Sequence, residues 1–223
     1  LFLIFLFVIF FAKSSFALIE IDITRGNLTP LPIAVSPLHV ESKSSEVLKE
    51  IEVGSEISKI IETNLLRSGL FNPLEKDSFV QKPDIAHLKP RFEDWKLIKA
   101  QALITGKVNI TNDKLRIEFR LWDVLAAKEM VALAFTTVPD NWRRVAHIIS
   151  DKIYKRLTGE EGYFDTRIIY VAEKGPKNQR IKKLAIMDQD GANTKYLTLG
   201  NELVLTPRFN PTNQMVTYMS FFR

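Results

Sequence analysis

The chain has 223 residues, 46% of them hydrophobic and 26% charged, a composition that suits one or two globular domains and excludes a disordered chain. Its formal charge of +5 is mild, with Asp and Glu interleaved among the Lys and Arg, so a nucleic-acid-binding face is not expected. There is no cysteine, which excludes a disulfide framework, a thiolate nucleophile and a thiolate zinc site together.

Residues 1–12 form an unbroken apolar run, shorter than the roughly 20 residues a membrane-spanning helix needs. Lys13 and Ser14 follow, then Ser15-Phe16-Ala17, which places small residues at the −3 and −1 positions of a cleavage after Ala17. Residues 1–17 therefore read as a secretory signal peptide, implying export. The chain begins with Leu and lacks the usual basic start, so its first residues are expected to be missing. From Ile19 the chain alternates apolar and acidic residues through Glu20, Ile21, Asp22, Ile23 and Thr24, a period-two strand signal that Arg25, Gly26 and Asn27 break. Pro30 and Pro32 lead into a short buried strand, Ile33-Ala34-Val35, closed by Pro37.

Residues 55–68 read as an amphipathic helix, because Ile57, Ile60, Ile61, Asn64 and Leu65 fall on one face of a 3.6-residue period. Gly69 sits where a left-handed residue ends such a helix, and Phe71-Asn72-Pro73-Leu74 turns the chain toward an extended segment. Residues 81–93, with Pro83, Pro90 and many charges, read as a loop; Trp95, Ile98 and Ala102 suggest a short helix. Three strands are expected over 102–108, 115–121 and 129–138, with hairpin turns at Asn112-Asp113 and Ala126-Ala127. Residues 141–157 form the second strong helix, with Val145, Ile148, Ile149, Ile153 and Leu157 as its buried stripe and Gly159 as its stop. Lys152, Lys155 and Arg156 suit its C-terminal end.

Beyond Gly162 the pattern changes to short strands. They fall at 167–172, 183–187 and 196–198, with a solvated basic turn within 174–183 and a hairpin signal at Asp190-Gly191. Met215-Val216-Thr217-Tyr218-Met219 repeats the pattern of 167–171, Tyr218 standing 48 residues after Tyr170. That spacing, with about four short strands per unit, is that of a β-propeller blade.

Several stretches carry a family resemblance. Residues 157–168, Leu-Thr-Gly-Glu-Glu-Gly-Tyr-Phe-Asp-Thr-Arg-Ile, resemble the junction between the two domains of the TolB family. Ile21-Asp22-Ile23-Thr24-Arg25-Gly26, Ser68-Gly69-Leu70-Phe71-Asn72-Pro73 and Met187-Asp188-Gln189-Asp190-Gly191-Ala192-Asn193 agree with the same family, in the same order. Arg144, His147 and the Ser150-Asp151 pair match its second helix. Pro207-Arg208-Phe209-Asn210-Pro211 resembles its inter-blade turn, with Phe and Asn in place of Trp and Ser. The resemblance implies an N-terminal α/β domain, a mixed sheet with two main helices, followed by a six-bladed propeller. Six blades need roughly 240 residues, so the chain is expected to stop after about one blade and the start of a second. The expected divisions are 1–17 signal peptide, 18–28 partner-binding strand, 29–158 α/β domain, 159–165 linker and 166–223 propeller.

Neither catalytic residues nor a cofactor are expected. The three histidines, His39, His87 and His147, are scattered; His147 and Asp151 stand four apart on one helix face, which could supply two metal ligands but no third. No nucleophile elbow, P-loop or dinucleotide fingerprint occurs. The residues instead suit protein binding. A free, alternating segment at the mature terminus can add as a strand to another protein's sheet edge; an ordinary first strand of the α/β domain is the plainer alternative. The resemblance implies that this segment, Ile19 to Thr24 with Gly26, engages TolA or packs on its own protein, and that the propeller engages the lipoprotein Pal. A soluble periplasmic adaptor, peripheral to the outer membrane through Pal, follows from it, with no small-molecule substrate. The alternative is the front of a secreted propeller-bearing peptidase, which a Gly-x-Ser-x-Gly elbow further along the chain would reveal.

Overall fold

The computed structural model describes residues 19, 21, 29–43, 52–111, 113–213 and 215–222. The expected signal peptide, its expected cleavage position at Ala17, and Glu20, Asp22, Ile23, Thr24 and Gly26 lie outside the described residues. The chain divides into two compact units, Leu1–Gly162 and Tyr163–Arg223.

The first unit is built on a mixed sheet. Its strands are β1 (Leu31–Val35), β2 (His39–Lys43), β3 (Phe71–Pro73), β4 (Ala102–Ile110), β5 (Leu115–Asp123) and β6 (Lys128–Thr137), in the order β3-β1-β4-β5-β6 with β2 also paired to β4. The β1–β3, β1–β4 and β2–β4 pairs are parallel, whereas β4–β5 and β5–β6 are antiparallel. Alternation decides which side each residue faces. Leu115, Ile117, Phe119 and Leu121 of β5 are buried, while Arg116 and Arg120 between them are exposed.

Two long helices cover the apolar face: α1 (Val53–Arg67) and, later in the chain, α4 (Trp142–Thr158). The stripe of α1 at Ile57, Ile60, Ile61, Asn64 and Leu65 is buried, and that of α4 at Val145, Ile149, Ile153 and Leu157 packs with it in one core cluster. Gly69 and Gly159 take φ of +74° and +79°, the left-handed conformation that ends a helix at no steric cost for glycine.

Residues 79–101, on the opposite face of the sheet, are more ordered than the sequence suggests. The expected loop holds a one-turn helix α2 (Pro83–Ala86) and the start of α3 (Phe92–Leu97). Pro83 opens α2 at the position where its missing N–H costs nothing. Buried Gln81 organises the segment: its Oε1 accepts from the Arg91 amide at 2.8 Å and Trp95 Nε1 at 3.1 Å, and its Nε2 donates to the Lys89 carbonyl at 2.9 Å. Trp95 then packs with Ala34, Ala86, Ala100, Leu103 and Val124 in a second core. The chain also continues past Pro37 into β2, which the sequence reading had not placed.

The second unit holds a three-stranded sheet, β7 (Arg167–Lys174), β8 (Ile181–Asp188) and β9 (Lys195–Tyr196), and a hairpin of β10 (Glu202–Phe209) with β11 (Val216–Phe222). The expected strand at 196–198 shrinks to β9; beyond it Thr198 Oγ1 accepts from the Leu184 amide at 3.0 Å, a side chain standing in for the ladder. β10 was not foreseen. Pro207, Arg208 and Phe209, expected in a turn, lie in β10, which accommodates the proline through an irregularity between Leu205 and Arg208, where Thr206 adopts φ +47°. The turn proper begins at Asn210.

Candidate partner-binding site

Of the segment proposed from sequence to bind a partner, Ile19 and Ile21 are described, and neither belongs to the sheet. Both are half-buried and pack against the main core. The Ile19 amide donates to Asp123 Oδ2 at 3.3 Å, and the Ile21 amide donates to the Leu157 carbonyl at 2.7 Å. Ile19 and Ile21 each meet the domain with an apolar side chain and an amide donor. Ile19 thus meets the end of β5, and Ile21 the last turn of α4.

Sequence reasoning missed both acceptors. Asp123 is the last residue of β5, 1% exposed, and its Oδ1 accepts from the Ala126 amide at 2.8 Å, shaping the turn into β6. An Asp at a strand end before Val124-Leu125-Ala126-Ala127 was a legible turn signal, but its long-range partner was not. Leu157 offers a carbonyl from the last turn of a helix, where intrahelical donors run out.

The histidine on α4 is accounted for by packing. Asn64 Nδ2 lies 2.9 Å from His147 Nδ1 and 3.0 Å from Ser150 Oγ, all three residues being buried. An amide nitrogen only donates, so Nδ1 is the acceptor. His147 therefore helps join α1 to α4, and the lone pair a metal would take at Nδ1 is already used.

Part of the remaining polar surface consists of paired charges. A cleft of about 280 Å³ beside the sheet is lined by His87, Leu88, Gly106, Lys107, Glu118 and Arg120. Lys107 pairs with Glu41 at 2.9 Å and Glu118 at 3.9 Å, and Arg120 pairs with Glu129 at 3.4 Å. The hydrogen bond from Lys107 holds the Glu41 carboxyl below its ordinary range. In the second unit, Lys182 at 2.7 Å and Arg180 both pair with Glu173 on the basic hairpin, and lower its pKa in the same way. Such balanced clusters suit a solvated surface better than an acid–base pair, whose pKa values should be pushed apart. Among the described residues, no helix is long and apolar enough to cross a membrane.

Residues 19–130 match the TolB amino-terminal domain, and residues 154–223 match the TolB beta propeller domain. The chain belongs to the TolB family. The first match begins at Ile19, which packs against the main core. The Tol-Pal system protein TolB of Pelagibacter ubique (strain HTCC1062) is 72% identical over 226 aligned positions, covering 100% of this chain and 50% of that protein. The crystal structure of TolB from Acinetobacter baumannii is similar with a TM-score of 0.71 at 25% identity, covering 86% of this chain and 44% of that one. The chain thus spans about half the length of the relatives it matches. Its fold is that of the TolB family, a mixed α/β domain followed by the start of a β-propeller region.

Proposed function

We propose that the protein is a periplasmic adaptor of the Tol-Pal system, joining TolA of the inner-membrane complex to the outer-membrane lipoprotein Pal. In that role it supports outer-membrane integrity and membrane invagination during cell division, and it acts by binding rather than catalysis. The observation carrying this reading is the 72% identity over the whole chain to a protein of that system. The N-terminal segment, Ile19, Glu20, Ile21, Asp22, Ile23, Thr24 and Gly26, is the proposed TolA site, with signal cleavage after Ala17 freeing it. Its alternating pattern supports strand addition, in which backbone hydrogen bonds give affinity and alternate side chains give specificity. Pal would be held by the propeller. The reading divides the chain into 1–17, 18–28, 29–158, 159–165 and 166–223, as the sequence suggests.

The test is a pull-down from solubilised envelope with the full-length exported protein and with a form lacking residues 18–26. Recovery of Pal by both forms, and of TolA by the intact form alone, is the expected result. TolA recovered equally by both would remove the N-terminal segment from the interface, and recovery of neither partner would overturn the assignment.

A further inference from the structure

His39 of β2 and His87 at the end of α2 stack face to face, with ring centroids 4.6 Å apart and planes 10° from parallel. His87 Nδ1 lies 3.0 Å from the Pro83 carbonyl oxygen. A carbonyl only accepts, so Nδ1 carries a proton and Nε2 is where this ring gains charge. A ring nitrogen binds a metal through a lone pair lying in the ring plane. Two stacked, nearly parallel planes offer no position in both at once, so the pair does not suit one shared ion. What the stack does join is the charge of the two rings: with one ring neutral there is no repulsion, whereas two imidazolium rings repel across the gap. The charged groups facing the pair come from each element around it. Glu41 of β2 acts on both rings, and its hydrogen bond from Lys107 keeps it ionised below the ordinary range. Lys107 of β4 stands beside His39 in the strand register and also pairs with Glu118 at 3.9 Å. Glu118 and Arg120 of β5 line the cleft next to His87, and Lys82, Asp84 and Lys89 flank it on its own segment. Glu41 and Glu118 are thus matched by Lys107 and Arg120, leaving little to neutralise a second imidazolium.

We propose that the His39–His87 stack is a pH-sensitive latch, closed while either ring is neutral and opened when acid charges both. The two sides of the latch are unequal. β2 is held by its ladder to β4, whereas α2 is a single turn whose Ala86, His87, Leu88 and Lys89 amides bond only within their own segment. Ile85 and Leu88 of that segment are 51% and 71% exposed, so few apolar contacts hold it down. Repulsion between the rings therefore moves α2 and leaves β2 in place. His87 and Leu88 also form one wall of the cleft of about 280 Å³, so opening the latch reshapes that cleft. Histidine is the side chain that charges between about pH 5 and 8, so the contact is kept at neutral pH and lost as pH falls.

The experiment is hydrogen exchange on the full-length mature protein at about pH 7.5 and about pH 5, the span over which histidine gains charge. Each rate is divided by that of an unstructured peptide at the same pH. The Ala86, His87, Leu88 and Lys89 amides should lose protection at the lower pH by about tenfold, the scale of two like charges at this separation near a protein surface. The Ile117 and Phe119 amides of β5 should keep theirs. The deciding variant is His39→Phe, which keeps a ring against His87 and removes the second charge; its α2 amides should be equally protected at both pH values. A proton taken up elsewhere, at His147 for example, would act on both proteins alike. Equal loss in the two proteins, or no loss in the unaltered one, overturns the proposal. Should His39→Phe loosen α2 already at the higher pH, His39→Gln supplies an uncharged polar side chain instead. Its α2 protection should likewise be independent of pH, and a loss on acidification matching that of the unaltered protein overturns the proposal equally.

Discussion

Replacing Asn64 with leucine tests whether α1 and α4 are joined by specific hydrogen bonds or by apolar packing alone. Asn64 is 1% exposed, and its amide donates to His147 Nδ1 at 2.9 Å and to Ser150 Oγ at 3.0 Å. Ser150 Oγ itself donates to the Ala146 carbonyl at 2.9 Å, so its lone pair is free to accept. Leucine has a similar volume and a better helix propensity, but it donates nothing. Depriving buried acceptors of their donor costs about 1–3 kcal/mol each. The added apolar burial and the propensity gain offset roughly 1 kcal/mol. A net loss of about 2 kcal/mol is expected. All three tryptophans, Trp95, Trp122 and Trp142, lie in the first unit, so urea denaturation followed by tryptophan fluorescence reports that unit by itself. A cycle with His147→Leu sharpens the reading, because the double variant removes both partners and should lose about 1 kcal/mol less than the sum of the singles. A loss below about 0.5 kcal/mol for Asn64→Leu, or strict additivity, would refute the argument.

Gly106→Ala places a Cβ 2.3 Å from the Glu118 carbonyl oxygen and 3.1 Å from Phe119 Cα, both backbone atoms of β5, so β4 and β5 must part; a loss of about 2–3 kcal/mol in the same denaturation assay is expected. Gln81→Leu removes three hydrogen bonds that order residues 79–101, and should sharply raise proteolytic cleavage in 82–91 while the β5 amides keep their exchange protection. For Glu173, Lys182 and Arg180 hold the folded pKa below the ordinary 4.5. The pairing's stabilising contribution is then fully present above 4.5 and is lost as pH falls through the folded value. Acid titration of the Lys182 and Arg180 resonances should show that step, and Glu173→Gln should abolish it.

The two long helices and the β4–β5–β6 meander could be read from the chain because local pattern and burial agree there. In α1, each residue of the predicted stripe is buried, and in β5 the alternation runs unbroken from Leu115 to Leu121. β2 escaped notice because His39-Val40-Glu41-Ser42-Lys43 carries one apolar residue. Its place is fixed by parallel pairing to the far half of β4, which no local signal encodes. β10 was hidden by Pro207, which reads as a turn unless the irregularity at Thr206 is known. The candidate site divides the same way. The alternation from Ile19 onward was visible, whereas its docking on Asp123 and Leu157 depends on contacts more than a hundred residues apart, and the two described residues meet a carboxylate and a helix carbonyl where a sheet partner was one of the expectations.

The end of α4 shows how the docking surface arises from a helix stop. Were the helix to continue, the Glu161 amide would take the Leu157 carbonyl in the ordinary i to i−4 bond. Gly159 prevents this: at φ +79° its amide bonds back to the Lys155 carbonyl at 2.9 Å, the chain leaves the helix, and the Leu157 carbonyl is left for Ile21. Gly159→Ala should therefore do two things. The left-handed conformation costs a residue with a Cβ about 1–2 kcal/mol, which lowers the stability of the first unit in the denaturation assay. The same strain favours winding on by a further residue or two, which would return the Leu157 carbonyl to its own helix and lower the exchange protection of the Ile21 amide. Lost stability with Ile21 protection intact would mean that the carbonyl is presented by the packing of α4 itself rather than by the glycine stop.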